Sequence, residues 1–372
     1  MAIADGGRVI FERSYTFEVA FHLTTRDHIG GSHMAMQSKA RTAVSRSKDY
    51  EYFIVAPLPS EGAIINDQFT FTDVDCSSVV GRAITSVRKS GATVRTAKWS
   101  AGGDANVILI DLQSSAWALR PSKEELLEAA DVDIPDDDGE SCDAAVFGYV
   151  VAEFIAECKK EAVRGTSQVV AHFHGWSASL ALILLRHRNA DVATVFTTHG
   201  CQLAHDLCSS CADFHNDVTD NGDFDEEATK LGIGHRYHIE KVVAGMAHVL
   251  TAVSEVSAVE TKYLLKRQPD YVTYSGLDFE SYFKAEQLDE YHALGKAKIH
   301  QLVRRHFNGQ VNFDLKCTQY FFFVSRYKFC NEGADMFIES LARLNHKLKV
   351  TGSKETVVAF FIFPLQGGTS FL

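Results

Sequence analysis

Three histidines stand at the ends of two apolar segments, where their imidazole rings could share one site. His172 and His174 close the segment Val169-Val-Ala-His-Phe-His-Gly-Trp176, and His199 closes Ala193-Thr-Val-Phe-Thr-Thr-His199. An imidazole donates or accepts hydrogen bonds and changes charge near neutral pH, so three of them suit the binding of a polar ligand. The alternative is structural, with His172 and His174 as hydrogen-bonded core residues and His199 as the cap of a strand end.

The segments that end in these histidines have the pattern of buried parallel strands. Each is a short apolar run, which is typical of a strand covered on both faces. The residues between them, Ser177 to Arg188, are apolar almost all round and end in a basic turn, which predicts a crossover helix. Open α/β sheets bind ligands at the carboxyl edge, so a ligand crevice is predicted there, with Trp176 packed beneath it.

Composition indicates a globular protein and argues against some partners. With 372 residues, 46% of them hydrophobic, the chain is long enough for two domains. The net charge of -11 and the pI near 5.8 argue against nucleic acid or an anionic membrane, since both attract basic surfaces. The longest apolar runs, Ala178 to Leu185 and Val357 to Pro364, are too short to span a bilayer, and no apolar core follows Met1. We expect a cytoplasmic protein with reduced cysteines.

The amino-terminal part of the chain alternates predicted strands and helices, which indicates the α/β class. A strand at Ser14 to Phe21 is followed by Gly30-Gly31 and a helix that extends to Ala43 and carries Lys39. The acidic run Asp131 to Glu140 is predicted to be a solvated loop. Further strands are predicted at Tyr52 to Ala56, Thr93 to Lys98, Val107 to Asp111 and Leu250 to Val253, and helices at Ala144 to Lys160, at Ala228 to His248 and from Ser254 onward.

After Gly276 the pattern predicts a long helix and then the start of a second strand, helix, strand series. The helix spans Ser281 to Phe307, and the series consists of Gln319 to Val324, Gly333 to Leu348 and Thr356 to Phe363. Two strands leave an open edge, which would expose an apolar row of Phe321, Phe323, Phe360 and Phe361. The predicted domains are an extension at 1–13, a Rossmann-like domain at 14–278, a helical connection at 279–315 and the beginning of a second Rossmann-like domain at 316–372.

A further set of motifs occurs in a characteristic order between Tyr15 and Pro364. The motifs are the glycine turn with Lys39, His172-Phe-His174, Thr197-Thr-His199, His235-Arg-Tyr237, Arg326-Tyr, Asn331-Glu-Gly-Ala-Asp335, Asn345-His-Lys-Leu and Val357-Val-Ala-Phe-Phe-Ile-Phe-Pro364. This order resembles that of animal and fungal glycogen synthases. The resemblance covers almost the whole chain.

The resemblance implies a GT-B architecture, with two Rossmann-like domains on either side of the active site. It implies transfer of glucose from UDP-glucose to the non-reducing end of an α-1,4-glucan such as glycogen, with retention of configuration. No metal or other cofactor is expected. Glycogenin and a second copy of the chain are further expected partners, and cations and helix amino-termini are expected to neutralise the departing diphosphate.

The resemblance also assigns substrate-binding residues in the first domain. Gly30 and Gly31 let the backbone approach a ligand closely, and Lys39 matches a lysine that reaches the sugar nucleotide. His174 matches the histidine that contacts the transferred glucose, and His199 matches another site residue.

Beyond the first domain, the resemblance assigns Arg326 to the donor diphosphate, which a planar guanidinium can bind through two oxygens. Several positions depart from the family: Glu332 replaces a lysine, Gly175 an acidic residue and His205 an arginine. The family's glutamate pair and its arginine-rich sensor of glucose 6-phosphate do not occur before Leu372, so no catalytic residue is assigned and that regulation is not expected. We expect absent or very low activity, because a carboxylate repels a diphosphate at short range.

Two alternatives to an active enzyme remain open. The chain is either a non-catalytic paralogue or fragment that binds glucan, glycogenin or full-length synthase, with the helix at Ser281 to Phe307 available for subunit contacts, or a partial gene product. In the second case Gln366 to Leu372, which leaves the family pattern, is not genuine coding sequence.

Two further side-chain groupings have competing interpretations. His205, Cys208, Cys211 and His215 have spacings compatible with a zinc site, although the resemblance implies no metal there. Arg236 and Glu240 lie four residues apart on a predicted helix, which by itself indicates only a local ion pair.

Overall fold

The strand that precedes the predicted glycine turn, β3 (Arg13–Ala20), lies at the centre of a nine-stranded sheet. The structure is a computed structural model that describes residues 3–5, 8–10, 13–24, 31–46, 50–59, 68–163, 167–209, 224–276, 284–307, 314–326, 329 and 332–363. The chain divides into two compact units, one of residues 1–206 and 215–277 and one of residues 207–214 and 278–372. The predicted domain boundaries stay a prediction.

The sheet of the first unit has the strand order β11-β10-β9-β8-β3-β4-β7-β6-β5 and is mostly parallel. A separate antiparallel pair, β1 (Ile3–Asp5) and β2 (Arg8–Ile10), precedes it. The other strands are β4 (Tyr50–Pro57), β5 (Phe69–Thr72), β6 (Val94–Trp99), β7 (Ala105–Ile110), β8 (Ser167–His174), β9 (Ala193–Thr198), β10 (Val249–Ala252) and β11 (Tyr271–Val272).

Helices connect these strands, as the alternating pattern predicts. They are α1 (Gly31–Arg46), α2 (Val79–Lys89), α3 (Leu119–Ala130), α4 (Gly139–Val163), α5 (Leu180–His187), α6 (Gln202–Ser209), α7 (Phe224–Lys230), α8 (Gly234–Met246) and α9 (Glu255–Leu264). The predicted crossover helix is confirmed, because α5 connects the parallel strands β8 and β9. The predicted start of α9 is also confirmed, since the Ser254 side chain accepts a hydrogen bond from the backbone N–H of Ser257. Within the described ranges, no helix combines the length and the apolarity needed to cross a bilayer.

One edge of the sheet departs from the predicted parallel arrangement. β6 pairs antiparallel with both β5 and β7, and β5 was not predicted. The strand Phe69-Thr-Phe-Thr72 is short, and its second residue and its last residue are exposed, so its apolar signal is weak. The predicted parallel sheet is therefore confirmed for most of its strands, and this edge adds antiparallel pairing that was not predicted.

Two predicted segments also differ from the structure. The helix predicted at Ala228 to His248 is broken into α7 and α8, with Gly232 between them at a φ of 73°. The acidic run is a loop up to residue 138, but it is not simply solvated, because Val132 and Ile134 are buried. These apolar side chains anchor the loop to the core.

Aromatic and aliphatic side chains fill the space between the sheet and its helices. The ring of Phe17 on β3 stacks on Phe53 at 5.6 Å between centroids and meets Phe154 of α4 edge to face at 5.3 Å. Helix α4 packs against α2, α3 and α5. Close packing of α4 on α5 requires Gly148, because a Cβ built there lies 2.8 Å from Cβ of Leu180 and 3.0 Å from the backbone nitrogen of Ala181.

Gly148→Ala is therefore expected to lower the free energy of unfolding by about 1 to 2 kcal/mol, because the two helices must move apart. Gly245→Ala is the matched control, since Gly245 also lies in a helix and a Cβ there meets nothing within 4 Å. The control is expected to gain up to about 1 kcal/mol from helix propensity. Urea unfolding of both variants measures the difference, and equal stability of the two would contradict the packing argument.

The second unit contains the predicted long helix and the predicted strand, helix, strand series. Its elements are α10 (Leu288–His306), β12 (Thr318–Val324), α11 (Ala334–Val350) and β13 (Thr356–Ile362). β12 and β13 pair in parallel, from Thr318 opposite Thr356 to Val324 opposite Ile362. The predicted exposure of apolar side chains is confirmed for Phe321 and Phe361, which are 36% and 41% exposed.

Candidate functional site

The carboxyl ends of β3, β8 and β9 bring polar side chains to one face of the sheet. Glu18 of β3 is paired in register with His172 of β8, and His174 is paired with Thr197 of β9. Because alternate residues of a strand face the same side, His172 and His174 project together. His199 follows β9 directly. The predicted convergence of the three histidines at this edge is confirmed.

Glu18 is the centre of this cluster, although it is not among the site residues predicted from the sequence. Its side chain is buried, and its Oε1 lies 2.6 Å from Nζ of Lys39 and 3.3 Å from Nδ1 of His172. Its Oε2 lies 2.5 Å from Nε2 of His174. Burial alone would raise the pKa of Glu18, but its contacts with His172, Lys39 and His174 hold it well below the usual range. Glu18 is therefore ionised.

Lys39 comes from α1 and is engaged inside the cluster. Besides its ion pair with Glu18, its Nζ lies 2.8 Å from Nδ1 of His172. An ammonium group only donates, so neutral His172 accepts at Nδ1 and donates from Nε2 to Oγ1 of Thr197, 2.6 Å away. The hydroxyl oxygen of Thr197 lies 2.6 Å from that of Thr251 on β10. The chain of contacts thus crosses three neighbouring strands.

His174 and His199 form a second branch. Nδ1 of His174 lies 3.0 Å from Nε2 of His199, and the His174 ring stacks on His172 with 4.3 Å between centroids. Burial, together with nearby positive charge, lowers the pKa of His174 to about 3 and the pKa of His199 to about 4. Both rings are neutral at pH 7, which suits hydrogen bonding to an uncharged ligand such as a sugar.

The cluster also resembles a metal-binding donor set. Ligand-type atoms of Glu18, His172 and His174 all lie within 4.8 Å of one another. However, the ammonium of Lys39 already contacts two of these three residues and supplies a positive charge there. A metal ion would have to displace Lys39.

The structure brings together three of the predicted substrate-binding residues, Lys39, His174 and His199. Gly31 is the first residue of α1, whereas Gly30 lies outside the described residues. Arg326 lies in the second unit, just after β12, and is 62% exposed. The roles of these residues in substrate binding stay predictions.

The position of Arg326 explains what the substitution at Glu332 does. Nε and Nη2 of Arg326 both lie 2.8 Å from Oε1 of Glu332. The guanidinium predicted to bind a diphosphate is therefore paired within its own unit to an acid, at a position where the resemblance implies a lysine.

The backbone after His174 turns at Gly175. Gly175 has a φ of 74° and a ψ of 169°, a conformation that is almost confined to glycine. Its N–H donates to the carbonyl oxygen of Thr197 at 3.1 Å, which continues the pairing of β8 with β9 beyond the strand. Trp176 follows and is buried, as predicted.

A second polar cluster lies beside Trp176 and corrects a prediction. Arg236, whose guanidinium carbon lies 5.0 Å from the Trp176 ring centroid, binds both carboxylate oxygens of Asp138 at 2.9 and 2.7 Å and contacts Glu140 at 2.8 Å. The hydrogen bonds from Arg236 are the first cause that keeps the pKa of Asp138 far below its usual range. The predicted ion pair between Arg236 and Glu240 is therefore wrong, because Arg236 is paired with Asp138, just before α4, and with Glu140 in its first turn.

Glu240 belongs to α8, and its buried side chain lies at the amino-terminus of α6. Its Oε2 accepts hydrogen bonds from the backbone N–H of Gln202 at 3.0 Å and from the thiol of Cys201 at 3.2 Å. Burial raises the pKa of Glu240 to about 7, although these two hydrogen bonds oppose the shift. Glu260 accepts from the N–H of Cys201 at 3.2 Å, so two acids cap one helix amino-terminus.

The zinc alternative falls partly outside the described residues. Cys211 and His215 are not described, and His205 lies 3.6 Å from the carboxylate of Asp206. The zinc alternative stays untested.

The mostly parallel sheet, its crossover helices and the polar cluster at the carboxyl edge define a Rossmann-like α/β protein, consistent with one half of a GT-B fold. The sequence model described as glycogen synthase matches residues 18–371, and the chain belongs to this family.

Curated relatives agree with this assignment. The chain is similar to glycogen [starch] synthase isoform 1 of Saccharomyces cerevisiae, with 40% identity over 94% of the chain and 49% of that protein. It is 37% identical to the liver glycogen [starch] synthase of Mus musculus, over 98% of the chain and 51% of that protein. The chain thus spans about half the length of the curated relatives it matches. A solved trehalose-6-phosphate phosphatase amino-terminal domain from Candida albicans has a TM-score of 0.41 and 13% identity over 97% of this chain and 66% of its own, which is too low to support an argument.

Proposed function

We propose that the polar cluster of the first unit is the sugar-binding half of a glycogen synthase site. The reaction would be transfer of glucose from UDP-glucose to the non-reducing end of an α-1,4-glucan, with retention of configuration and without a cofactor. The observation that supports this most directly is the pair of neutral, partly buried imidazoles, His174 and His199, at the carboxyl edge of the sheet in a member of this family.

We further propose that turnover by this chain alone is very low. Glycosyl transfer from a nucleotide sugar requires positive charge at the departing diphosphate. Arg326 is paired with Glu332, and the ammonium of Lys39 is paired with Glu18. Neither cation is available without breaking an existing ion pair.

Incorporation of labelled glucose from UDP-glucose into glycogen tests this function. We expect incorporation only slightly above a blank without protein, together with measurable binding of UDP-glucose by calorimetry. The proposal would be contradicted if neither incorporation of glucose nor binding of UDP-glucose were detected.

A change at Glu332 tests the charge argument. Glu332→Gln is expected to tighten UDP binding by about three- to tenfold, because it frees the Arg326 guanidinium and removes a repulsive charge, and tenfold corresponds to about 1.4 kcal/mol. Glu339→Gln is the matched control, since Glu339 is paired with Arg343 in the same unit at 2.8 Å. Calorimetry with UDP measures both variants. An equal gain in the control would show a general charge effect and contradict the specific role of Glu332.

The Arg326 and Glu332 pair also favours a second candidate, a non-catalytic protein that binds glucan or a synthase subunit. This candidate predicts retention on immobilised glycogen without any incorporation of glucose, even in the Glu332→Gln variant. Binding to glycogenin, self-association and a cytoplasmic location also belong to the proposal.

A further inference from the structure

The contacts of Glu18 determine where the protons of two histidines lie. We propose that Glu18 is a positioning residue that, through His174, fixes His199 with its proton on Nε2 and leaves Nδ1 of His199 as a hydrogen-bond acceptor. The last step, that this acceptor binds a hydroxyl group of the sugar, rests on the proposed function.

The first step is at His174. An ionised carboxylate accepts hydrogen bonds and cannot donate one. Oε2 of Glu18 lies 2.5 Å from Nε2 of His174, so that nitrogen must carry the proton. In the neutral ring the other nitrogen, Nδ1, then has a lone pair.

The second step transmits this assignment to His199. Nδ1 of His174 lies 3.0 Å from Nε2 of His199, and a hydrogen bond between them requires His199 to donate. His199 is therefore also protonated on Nε2, and its Nδ1 is an acceptor. Among the described residues, Nδ1 of His199 has no hydrogen-bond partner, and the ring is partly exposed.

Lys39 determines which carboxylate oxygen each partner uses. Its ammonium contacts Oε1 of Glu18 at 2.6 Å and Nδ1 of His172 at 2.8 Å. Because an ammonium only donates, the atom of residue 18 that faces Lys39 must be an acceptor. This leaves the other oxygen for His174.

The same constraint makes Glu18→Gln informative. The amide oxygen must face Lys39, so the amide NH2 faces Nε2 of His174 and donates to it. His174 then carries its proton on Nδ1 and donates to His199, which in turn moves its proton from Nε2 to Nδ1. The outward group of His199 changes from an acceptor to a donor.

The double variant Glu18→Gln with Lys39→Met reverses this change. Without the ammonium, the amide can turn so that its NH2 donates to Nδ1 of neutral His172, and its oxygen again accepts from Nε2 of His174. Both histidines are expected to return to the Nε2 form. Glu140→Gln is the control, since Glu140 contacts His22 and Arg236 instead.

The test is long-range 1H–15N correlation NMR of the full chain at pH 7, with labelled histidine and assignment by His174→Gln and His199→Gln. We expect the Nε2 form for both rings in the wild type, the Nδ1 form in Glu18→Gln, and the Nε2 form in the double variant and the control. A wild-type ring in the Nδ1 form overturns the proposal even if no variant folds. Unchanged tautomers in a folded Glu18→Gln variant overturn it as well.

Titration with UDP-glucose, and with UDP alone, separates this proposal from the proposed function. Sugar binding is expected to shift the Nδ1 resonance of His199 with UDP-glucose and not with UDP. If the tautomers behave as expected but neither ligand shifts the resonance, the positioning role of Glu18 is supported. The proposal that this site binds the sugar is then contradicted.

Discussion

Lys39→Met is expected to lower the free energy of unfolding by about 3 kcal/mol at pH 7, because removal of one partner of a buried ion pair leaves the other charge uncompensated. Glu18 is 1% exposed and would lose the ammonium that lies 2.6 Å away. This expected loss in free energy of unfolding lies at the lower end of the range for such pairs, because the Lys39 side chain is itself 41% exposed. Urea unfolding measures the loss.

The pH dependence of this loss has a definite sign. Because the pKa of Glu18 is lowered in the folded state, its contribution is present above the unfolded pKa and disappears as the pH falls through the folded pKa. The difference between Lys39→Met and the wild type is therefore expected to be largest at pH 7 and to shrink below about pH 4. Lys89→Met, at an exposed lysine of α2, is the control. A loss of less than about 1 kcal/mol, which is usual for a surface pair, would refute the buried-pair argument.

Glu240→Gln is expected to have the opposite effect and to stabilise the chain at alkaline pH. The folded pKa, about 7, lies above the usual glutamate value of 4.5, so between these values the folded state binds more protons than the unfolded state. The free energy of unfolding of the wild type therefore falls as the pH rises through this window, by roughly 3 kcal/mol in total. A glutamine oxygen can still accept from Gln202 and Cys201, and it carries no charge to bury.

Unfolding of both proteins at pH 5 and pH 8 checks this expectation. The variant should match the wild type near pH 5 and exceed it at pH 8. Glu128→Gln, at an exposed position of α3, should leave the pH dependence unchanged. Equal slopes for Glu240→Gln and the wild type would mean that Glu240 is not the group that titrates.

The fold was predictable where a buried apolar run has turn signals at both ends. β8, α5 and β9 have such patterns, and the structure follows them closely. β5 was not predictable, because four residues with two exposed side chains carry little periodicity, and their strand pairing depends on β6. Gly232 is a signal for the break between α7 and α8, but the long amphipathic pattern around it predicts one continuous helix.

The site was predictable in its histidines and in Lys39, but not in the buried acid Glu18 that pairs with Lys39. A strand end indicates where a side chain projects, which is why His172, His174 and His199 were correctly grouped. Glu18 was missed although the signal was present, since an acid within the apolar strand Tyr15 to Ala20 requires a buried partner. The positive partner of Glu18 depends on how α1 packs against the sheet. The sequence alone does not show that this packing brings Lys39 next to Glu18.

The backbone at Gly175 has a consequence for the history of this chain. If an ancestor had the acidic residue that the family resemblance implies, its replacement by glycine allowed a conformation that other residues adopt only at a cost of about 1 to 3 kcal/mol. Restoring the acid by one mutation would now strain the turn that joins β8 to β9 through the N–H of Gly175 and the carbonyl of Thr197. The glycine conformation would therefore oppose a return to an acidic residue by this amount of free energy, although a Cβ at this position meets no neighbouring atom within 4 Å.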